Sequence, residues 1–169
     1  MDLKAVQAPI KDRYREEPEE ARITLTARAS ETDTPVACSV ETGQAIQAAQ
    51  AHMGVGGPGT AACSGDLLLG ALAACAQVTC QMVATAMGIE AESIGVTVEG
   101  DLDLRGTLGV SREAKVGFDA IRVEFAIEAP GSTPEQITSL KEKTERYCTV
   151  LQTLLDPPSI EMRPTAEPG

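Results

Sequence analysis

Apolar and polar residues alternate over four short stretches of the chain, and each stretch predicts a half-buried strand. Stretches 23–28 and 35–40 are separated by turn-forming residues, so we expect them to form a hairpin. Stretches 94–104 and 121–127 are expected to form a second antiparallel pair, with a bend near Gly100. Strands grouped in pairs are typical of an α+β fold rather than of a parallel doubly wound sheet.

Between the two pairs, apolar residues recur at helical spacing over 65–87. We expect Ser64 to cap this helix and Gly88 to end it. No charged residue lies between Asp66 and Glu90, so the helix is predicted to be central and buried on most sides. Small residues in its first half would let another backbone approach closely, which favours packing of one face on a second subunit.

Further helices are predicted near the C-terminus. Thr133, Pro134 and Gln136 match the capping-box pattern that begins a helix. The apolar segment 148–155 is predicted to be helical, and 159–163 predicts a short last strand. Antiparallel sheets are therefore expected to lie around one long central helix.

The same patterns predict one domain. Residues 1–21 are polar and interrupted by prolines, so they are expected to form an extended or partly ordered arm. Residues 22–163 are predicted to form a single α+β domain, and 164–169 a C-terminal tail.

Charge excludes several partners. The chain has 25 Asp and Glu against 14 Lys and Arg, which leaves a net charge of −11. Such a field repels nucleic acids and anionic membranes, so neither is expected as a partner. We also expect no membrane span, because no unbroken apolar run approaches the roughly 18–20 residues required. The N-terminal residues lack the apolar core of a signal peptide, so a cytoplasmic location is expected.

No cofactor or metal site is predicted. The glycine run over 54–59 lacks the spacing of dinucleotide and phosphate loops, so we expect a flexible lead-in to the central helix. A structural zinc site needs about four paired ligands. The chain has one histidine, His52, and no closely paired cysteines.

The cysteines are the remaining candidates for chemistry: Cys38, Cys63, Cys75, Cys80 and Cys148. From composition alone, each is either a small buried residue or a reactive thiol. Cys38 is expected to pack in a sheet, and Cys63 to be exposed or half-buried. Cys75 and Cys80 lie about 140° apart on an α-helix, so they are not expected to pair with each other. Cys148 begins a predicted helix near Arg146, and backbone N–H groups there are expected to lower its pKa.

Two segments resemble the osmotically inducible protein C and organic hydroperoxide resistance family: SGDLLLGALAACAQVTC (64–80) and ERYCTVLQTL (145–154). The resemblance extends from about Ile23 to Arg163. It implies that Cys75 is a peroxidatic thiol and Cys148 its resolving thiol. It also implies an intertwined homodimer with sites at the subunit interface. The implied substrate is a small organic hydroperoxide, and the implied reductant is an external dithiol such as a dihydrolipoyl protein.

The chain departs from the family pattern at two positions. Family peroxidases carry an acidic residue ten positions before the helical cysteine, where this chain has Gly65. Asp66, the nearest carboxylate, is either the catalytic acid or a partner of the helix dipole. The family arginine is expected in SETDTP (30–35), which has none, and Arg22 or Arg28 are candidate substitutes.

Two functions are consistent with these residues. The first is a thiol-dependent peroxidase that uses Cys75 and Cys148, and Cys80 is then either a packing residue or an alternative resolving thiol. The second is a redox-responsive or small-ligand-binding dimer that keeps the fold without peroxidase activity. The missing arginine favours the second.

Overall fold

The computed structural model describes residues 3–17, 21–22, 24, 27–31, 37–42 and 45–163. Within them the chain has the predicted α+β architecture, with two antiparallel sheets and a long helix. The helices are α1 (Leu3–Glu16), α2 (Ser64–Met87), α3 (Leu104–Thr107), α4 (Pro134–Tyr147) and α5 (Thr149–Leu155). The strands are β1 (Ala27–Glu31), β2 (Ala37–Thr42), β3 (Ala45–Gln50), β4 (Ser93–Leu102) and β5 (Phe118–Glu128).

Within the N-terminal arm, which was expected to be extended or partly ordered, Leu3–Glu16 is helical rather than extended. Pro9 lies inside this helix. Around it the segment is rich in Ala, Lys, Gln, Arg and Leu, which favour helix. Asp12 and Arg15 form an ion pair at helical i, i+3 spacing. A single proline therefore does not prevent this segment from forming a helix.

The first sheet contains the predicted hairpin and a third strand. β1 pairs with β2 in antiparallel register, with Ala29 opposite Val40. β2 also pairs with β3, which the sequence analysis did not predict. Residues 45–50 read AIQAAQ, which has no clean alternation and few residues that favour strands. Pairing with β2 therefore decides the conformation of this segment.

The glycine run leads into α2 as expected, but it forms a folded turn. The Gln50 side chain exchanges hydrogen bonds with Thr60, with its Nε2 donating to Thr60 Oγ1 (2.9 Å) and its Oε1 accepting from Thr60 N–H (3.1 Å). The backbone of Gly57 passes so close to Ala51 that a Cβ would lie 1.6 Å from the Ala51 carbonyl oxygen. Only glycine fits there. These contacts fix the point where α2 begins.

α2 ends as predicted, at Gly88 in the left-handed conformation (φ 71°). Its start differs by one residue, because Cys63 and not Ser64 occupies the N-cap position, with extended backbone. Ser64 is already helical. The backbone N–H of Cys63 donates to the Asp66 carboxylate (2.8 Å), which satisfies one end of a capping box.

The second sheet is the predicted long pair. β4 and β5 are antiparallel, and Val98 lies opposite Val123. Along both strands, half-buried residues alternate with exposed ones over most of their length. The predicted bend near Gly100 corresponds to a register shift between Asp101 and Leu102. Gly100 is required, because a Cβ there would lie 2.4 Å from the Phe118 ring.

The last helices begin as predicted, and the predicted final strand is wrong. Thr133 and Gln136 form the capping box of α4. The chain then breaks at Cys148, whose extended backbone (φ −75°, ψ 104°) separates α4 from α5. Residues 159–163 form no strand, because they find no partner in the described part of the chain. Residues 164–169 lie outside the described residues.

The core lies along one side of α2 in two clusters. The first contains Cys80, Ala84, Ile89 and Leu140, and the second contains Leu72, Ala76 and Cys148. β4, α4 and α5 all contact this side. By length and composition α2 would suffice to cross a membrane, with a mean hydropathy of 1.7 over 18 residues. Core helices of soluble proteins meet the same criterion. Of the 24 residues of α2, 5 are buried and 11 are exposed within one chain, so one side of the helix lacks cover.

Candidate functional site: the thiol pair

Folding brings Cys75 and Cys148 together, as the resemblance implies. Cys75 lies at the middle of α2 and is half-buried. Cys148 lies at the junction of α4 and α5 and is fully buried. Cys75 packs against the core cluster that contains Cys148, and the Cys148 side chain is one of the groups that lower the pKa of Cys75. Both are free thiols, and we call them the thiol pair.

The surroundings of Cys75 favour its thiolate. Burial, the largest single influence on this thiol, raises the pKa. Hydrogen bonds from the Val150 backbone, the Cys148 side chain, the Thr79 side chain and the Thr149 backbone oppose burial, and the pKa of Cys75 is lowered overall. Hydrogen-bond donors stabilise a charged sulfur more than a neutral one. Cys75 therefore has the character of a nucleophile.

Cys148 has the opposite character. Burial raises the pKa of this thiol, and the neighbouring Cys75 side chain raises it further, so the two outweigh hydrogen bonds from the Leu151 and Val150 backbones. Our expectation of a lowered pKa for Cys148 is therefore wrong. Backbone amides near the start of α5 act on both thiols, but only for Cys75 do the hydrogen bonds outweigh burial. Arg146 does not contribute to the pKa of Cys148. Its guanidinium lies over the Tyr147 ring, 5.6 Å from the centroid.

Thr79 completes the surroundings of Cys75, and the sequence analysis missed it. Its Oγ1 lies 4.0 Å from Cys75 Sγ, at the limit for a hydrogen bond to sulfur. The signal was present in the sequence, because residues four apart on a helix lie on the same face. The backbone amides of Thr149 and Val150 carried no such signal, since backbone groups are present at every residue.

We predict that Cys75 reacts with iodoacetamide at lower pH than Cys148 or Cys80. The alkylation rate should rise as pH increases through the lowered pKa of Cys75 and then level off, because the thiolate is the reactive form. Burial raises the pKa of Cys80 and of Cys148, so both should be alkylated only at higher pH. Peptide mass mapping across a pH series would measure each site separately. Labelling of Cys148 ahead of Cys75 would contradict the assignment.

Asp66 is not near the thiol pair of its own chain. It lies nine residues before Cys75 on α2, about 14 Å along the axis and on the opposite face. Its carboxylate caps α2, and the Cys63 backbone N–H, the largest influence, lowers its pKa. These contacts fit the helix-capping interpretation, and a catalytic role for Asp66 remains a prediction that requires a second subunit.

The described residues place only one of the two candidate arginines as a whole side chain. Arg28 lies in β1 opposite Glu41, and its side chain falls outside the described residues. Arg22 is exposed. Within the described residues, no Lys or Arg contributes to the pKa shift of Cys75.

The other cysteines lie elsewhere. Cys80 is fully buried and packs in the first core cluster. Cys63, half-buried as expected, lines a cavity of about 260 Å³ with His52 and Phe118. The side chain of Cys38 falls outside the described residues. Among the described residues, no group of three or more His, Cys, Asp or Glu is arranged to hold a metal ion.

Solved structures of known proteins share this fold. An OsmC-like protein from Mycoplasma pneumoniae has a TM-score of 0.67 at 17% identity, covering 80% of this chain and 89% of that one. An organic hydroperoxide resistance protein OsmC from Legionella pneumophila has a TM-score of 0.60 at 22% identity, covering 79% and 90%. The organic hydroperoxide resistance protein OhrB of Bacillus subtilis has a TM-score of 0.51 at 18% identity, covering 80% and 93%.

Sequence comparison places the chain in a family. No curated protein matches it. The family model for OsmC-like proteins matches residues 57–163, which include α2, both strands of the second sheet and both members of the thiol pair. The chain therefore belongs to the OsmC-like protein family.

Proposed function

We propose that the protein is a thiol-dependent peroxidase that reduces organic hydroperoxides, with Cys75 as the peroxidatic thiol and Cys148 as the resolving thiol. The observation that carries the proposal is the thiol pair. Two cysteines far apart in the sequence meet in an apolar core, and their pKa values shift in opposite directions. A peroxidase of this kind needs two thiols with different pKa values, because one sulfur attacks the hydroperoxide as a thiolate while the other stays protonated until the sulfenic acid has formed.

In the first step the Cys75 thiolate attacks the terminal oxygen of the hydroperoxide. The O–O bond breaks as the S–O bond forms, so the sulfur loses two electrons and becomes a sulfenic acid. The departing alkoxide takes a proton and leaves as an alcohol. Hydrogen-bond donors around Cys75 stabilise the thiolate before attack.

In the second step the Cys148 sulfur attacks the Cys75 sulfenic acid. An S–S bond forms, and water leaves with the sulfenic hydroxyl and the thiol proton. An external dithiol then reduces the disulfide by exchange and restores both thiols. A dihydrolipoyl protein is one such dithiol. The proposal includes a cytoplasmic location, where other thiols stay reduced.

The proposal also includes a homodimer. Ala71, Ala74, Val78 and Met82 form an exposed stripe along α2, which we call the exposed α2 face. Val78 is 53% exposed and Met82 40%. An apolar stripe of this length is typical of an interface, and its small residues allow close approach of a second helix. Cys75 lies at the edge of the exposed α2 face, so a second copy would enclose the thiol pair.

We predict that Val78→Asp converts the dimer to a monomer. A charge buried at the centre of a helix interface has no partner there, so association should be lost. Light scattering should give about twice 17.7 kDa for the wild type and 17.7 kDa for the variant. Val110→Asp is the matched control, since Val110 is 73% exposed and lies outside α2. A wild-type mass of one chain would contradict the dimer.

A second candidate function is a redox-responsive or small-ligand-binding dimer without peroxidase activity. The lack of a described cation beside Cys75 favours it. Consumption of cumene hydroperoxide with dihydrolipoamide as reductant separates the two. Repeated turnover supports the peroxidase, and reaction of the thiols without turnover supports the second candidate.

A further inference from the structure

Thr79 is placed to act on the sulfur of Cys75. It follows Cys75 by four residues on α2, so both side chains project on the same side of the helix. Thr79 is only 9% exposed, and its Oγ1 lies 4.0 Å from Cys75 Sγ. Water is therefore largely absent as an alternative partner for this hydroxyl.

The hydroxyl of Thr79 is oriented unlike those of comparable threonines. A buried or helical threonine commonly donates to the carbonyl four residues earlier. In the described helices α2, α4 and α5, four other threonines do so, at 2.8–2.9 Å: Thr85 to Gln81, Thr138 to Pro134, Thr144 to Leu140 and Thr153 to Thr149. Thr79 instead has the Cys75 sulfur as its hydrogen-bond partner. Its proton is thus available to the sulfur.

The remaining described surroundings of Cys75 are mostly apolar. β4 and β5 present apolar side chains to this cluster, including Val96, Val98 and Val123. The charged residues of these strands, such as Glu99 and Arg122, are exposed and pair with each other. From the junction of α4 and α5, the titratable group that faces the sulfur is Cys148. Backbone amides, one thiol and the Thr79 hydroxyl are therefore the described donors to Cys75.

We propose that the Thr79 hydroxyl donates a hydrogen bond to the Cys75 thiolate and stabilises it. The effect of this hydrogen bond on turnover rests on the proposed function, in which Cys75 is the peroxidatic thiol. The hydrogen bond itself does not require turnover. It can therefore be tested on the resting protein.

The test is the rate of Cys75 alkylation by iodoacetamide across a pH series in Thr79→Val, read by peptide mass mapping. Valine keeps the shape of threonine and removes the donor. Because the contact is at the limit for a hydrogen bond to sulfur, we assign it the strength of an ordinary hydrogen bond, which changes the thiolate population about five- to tenfold. We therefore expect Cys75 in Thr79→Val to react about five- to tenfold more slowly near neutral pH, with the wild-type rate regained at high pH.

Two variants provide controls. Thr79→Ser retains the hydroxyl and should restore the wild-type pH profile. Thr85→Val removes a hydroxyl from the same helix, but that hydroxyl donates to the Gln81 carbonyl, so the profile of Cys75 should not change. If the valine variant does not fold, Thr79→Ala with circular dichroism as a check on folding tests the same donor.

An unchanged Cys75 profile in Thr79→Val would overturn the inference, and so would equal slowing in Thr85→Val. Failure of the proposed function gives a different result. In that case the wild type would not turn over cumene hydroperoxide, while the alkylation profiles would still separate Thr79→Val from Thr79→Ser.

Discussion

Replacing Cys75 by serine is expected to reduce hydroperoxide consumption to the rate of the protein-free mixture. Serine preserves the size of the side chain but offers a hydroxyl that stays protonated at neutral pH, so no nucleophile remains to break the O–O bond. Cys148 cannot replace it, because burial raises the pKa of Cys148 and keeps its sulfur protonated. The measurement is the initial rate of cumene hydroperoxide loss with excess dihydrolipoamide.

The matched control for this variant is Cys63→Ser. Cys63 is also half-buried and lies at the start of the same helix, 12 residues from Cys75. It is therefore expected to retain wild-type turnover. Equal turnover in the wild type and Cys75→Ser would contradict the assignment of the nucleophile.

Replacing Cys148 by serine is expected to leave a single turnover. Cys75 should still attack one equivalent of hydroperoxide, because the amides of Thr149 and Val150 and the Thr79 hydroxyl remain beside it. The sulfenic acid then has no resolving thiol, and further hydroperoxide should oxidise it to the sulfinic acid. A burst of one equivalent per chain, followed by mass mapping of Cys75, measures this outcome.

Cys80→Ala tests the alternative resolving thiol in the same assay. Cys80 belongs to the other core cluster, apart from the one that contains Cys148. We expect Cys80→Ala to keep repeated turnover. Steady turnover in Cys148→Ser together with its loss in Cys80→Ala would assign the resolving role to Cys80.

Local patterns predicted most of the fold. The period of apolar residues located α2, and the capping residues of α4 and the left-handed glycine at 88 predicted where helices begin and end. The predictions of strands were wrong where the local sequence pattern is weak, or where the pairing between strands decides the conformation. β3 has few strand-favouring residues and depends on β2, and residues 159–163 alternate without a described partner strand.

The candidate site was predicted only in part. The family resemblance identified Cys75 and Cys148, whereas spacing alone could not, because 72 residues separate them in the sequence. The direction of the pKa shift at Cys148 could not be predicted, since it depends on burial and on the neighbouring thiol. The position of Thr79 could have been predicted, because residues four apart on a helix lie on the same face. The placement of Asp66 shows that a carboxylate close in sequence to a nucleophile can lie on the other side of the helix.

The most direct test of the account is disulfide mapping after the reduced wild-type protein reacts with one equivalent of cumene hydroperoxide. Digestion without reductant, followed by mass spectrometry, identifies which cysteines are joined. The account predicts one dominant crosslink, between the peptides that contain Cys75 and Cys148. Recovery of both thiols in reduced form, or a dominant crosslink through Cys38, Cys63 or Cys80, would contradict it.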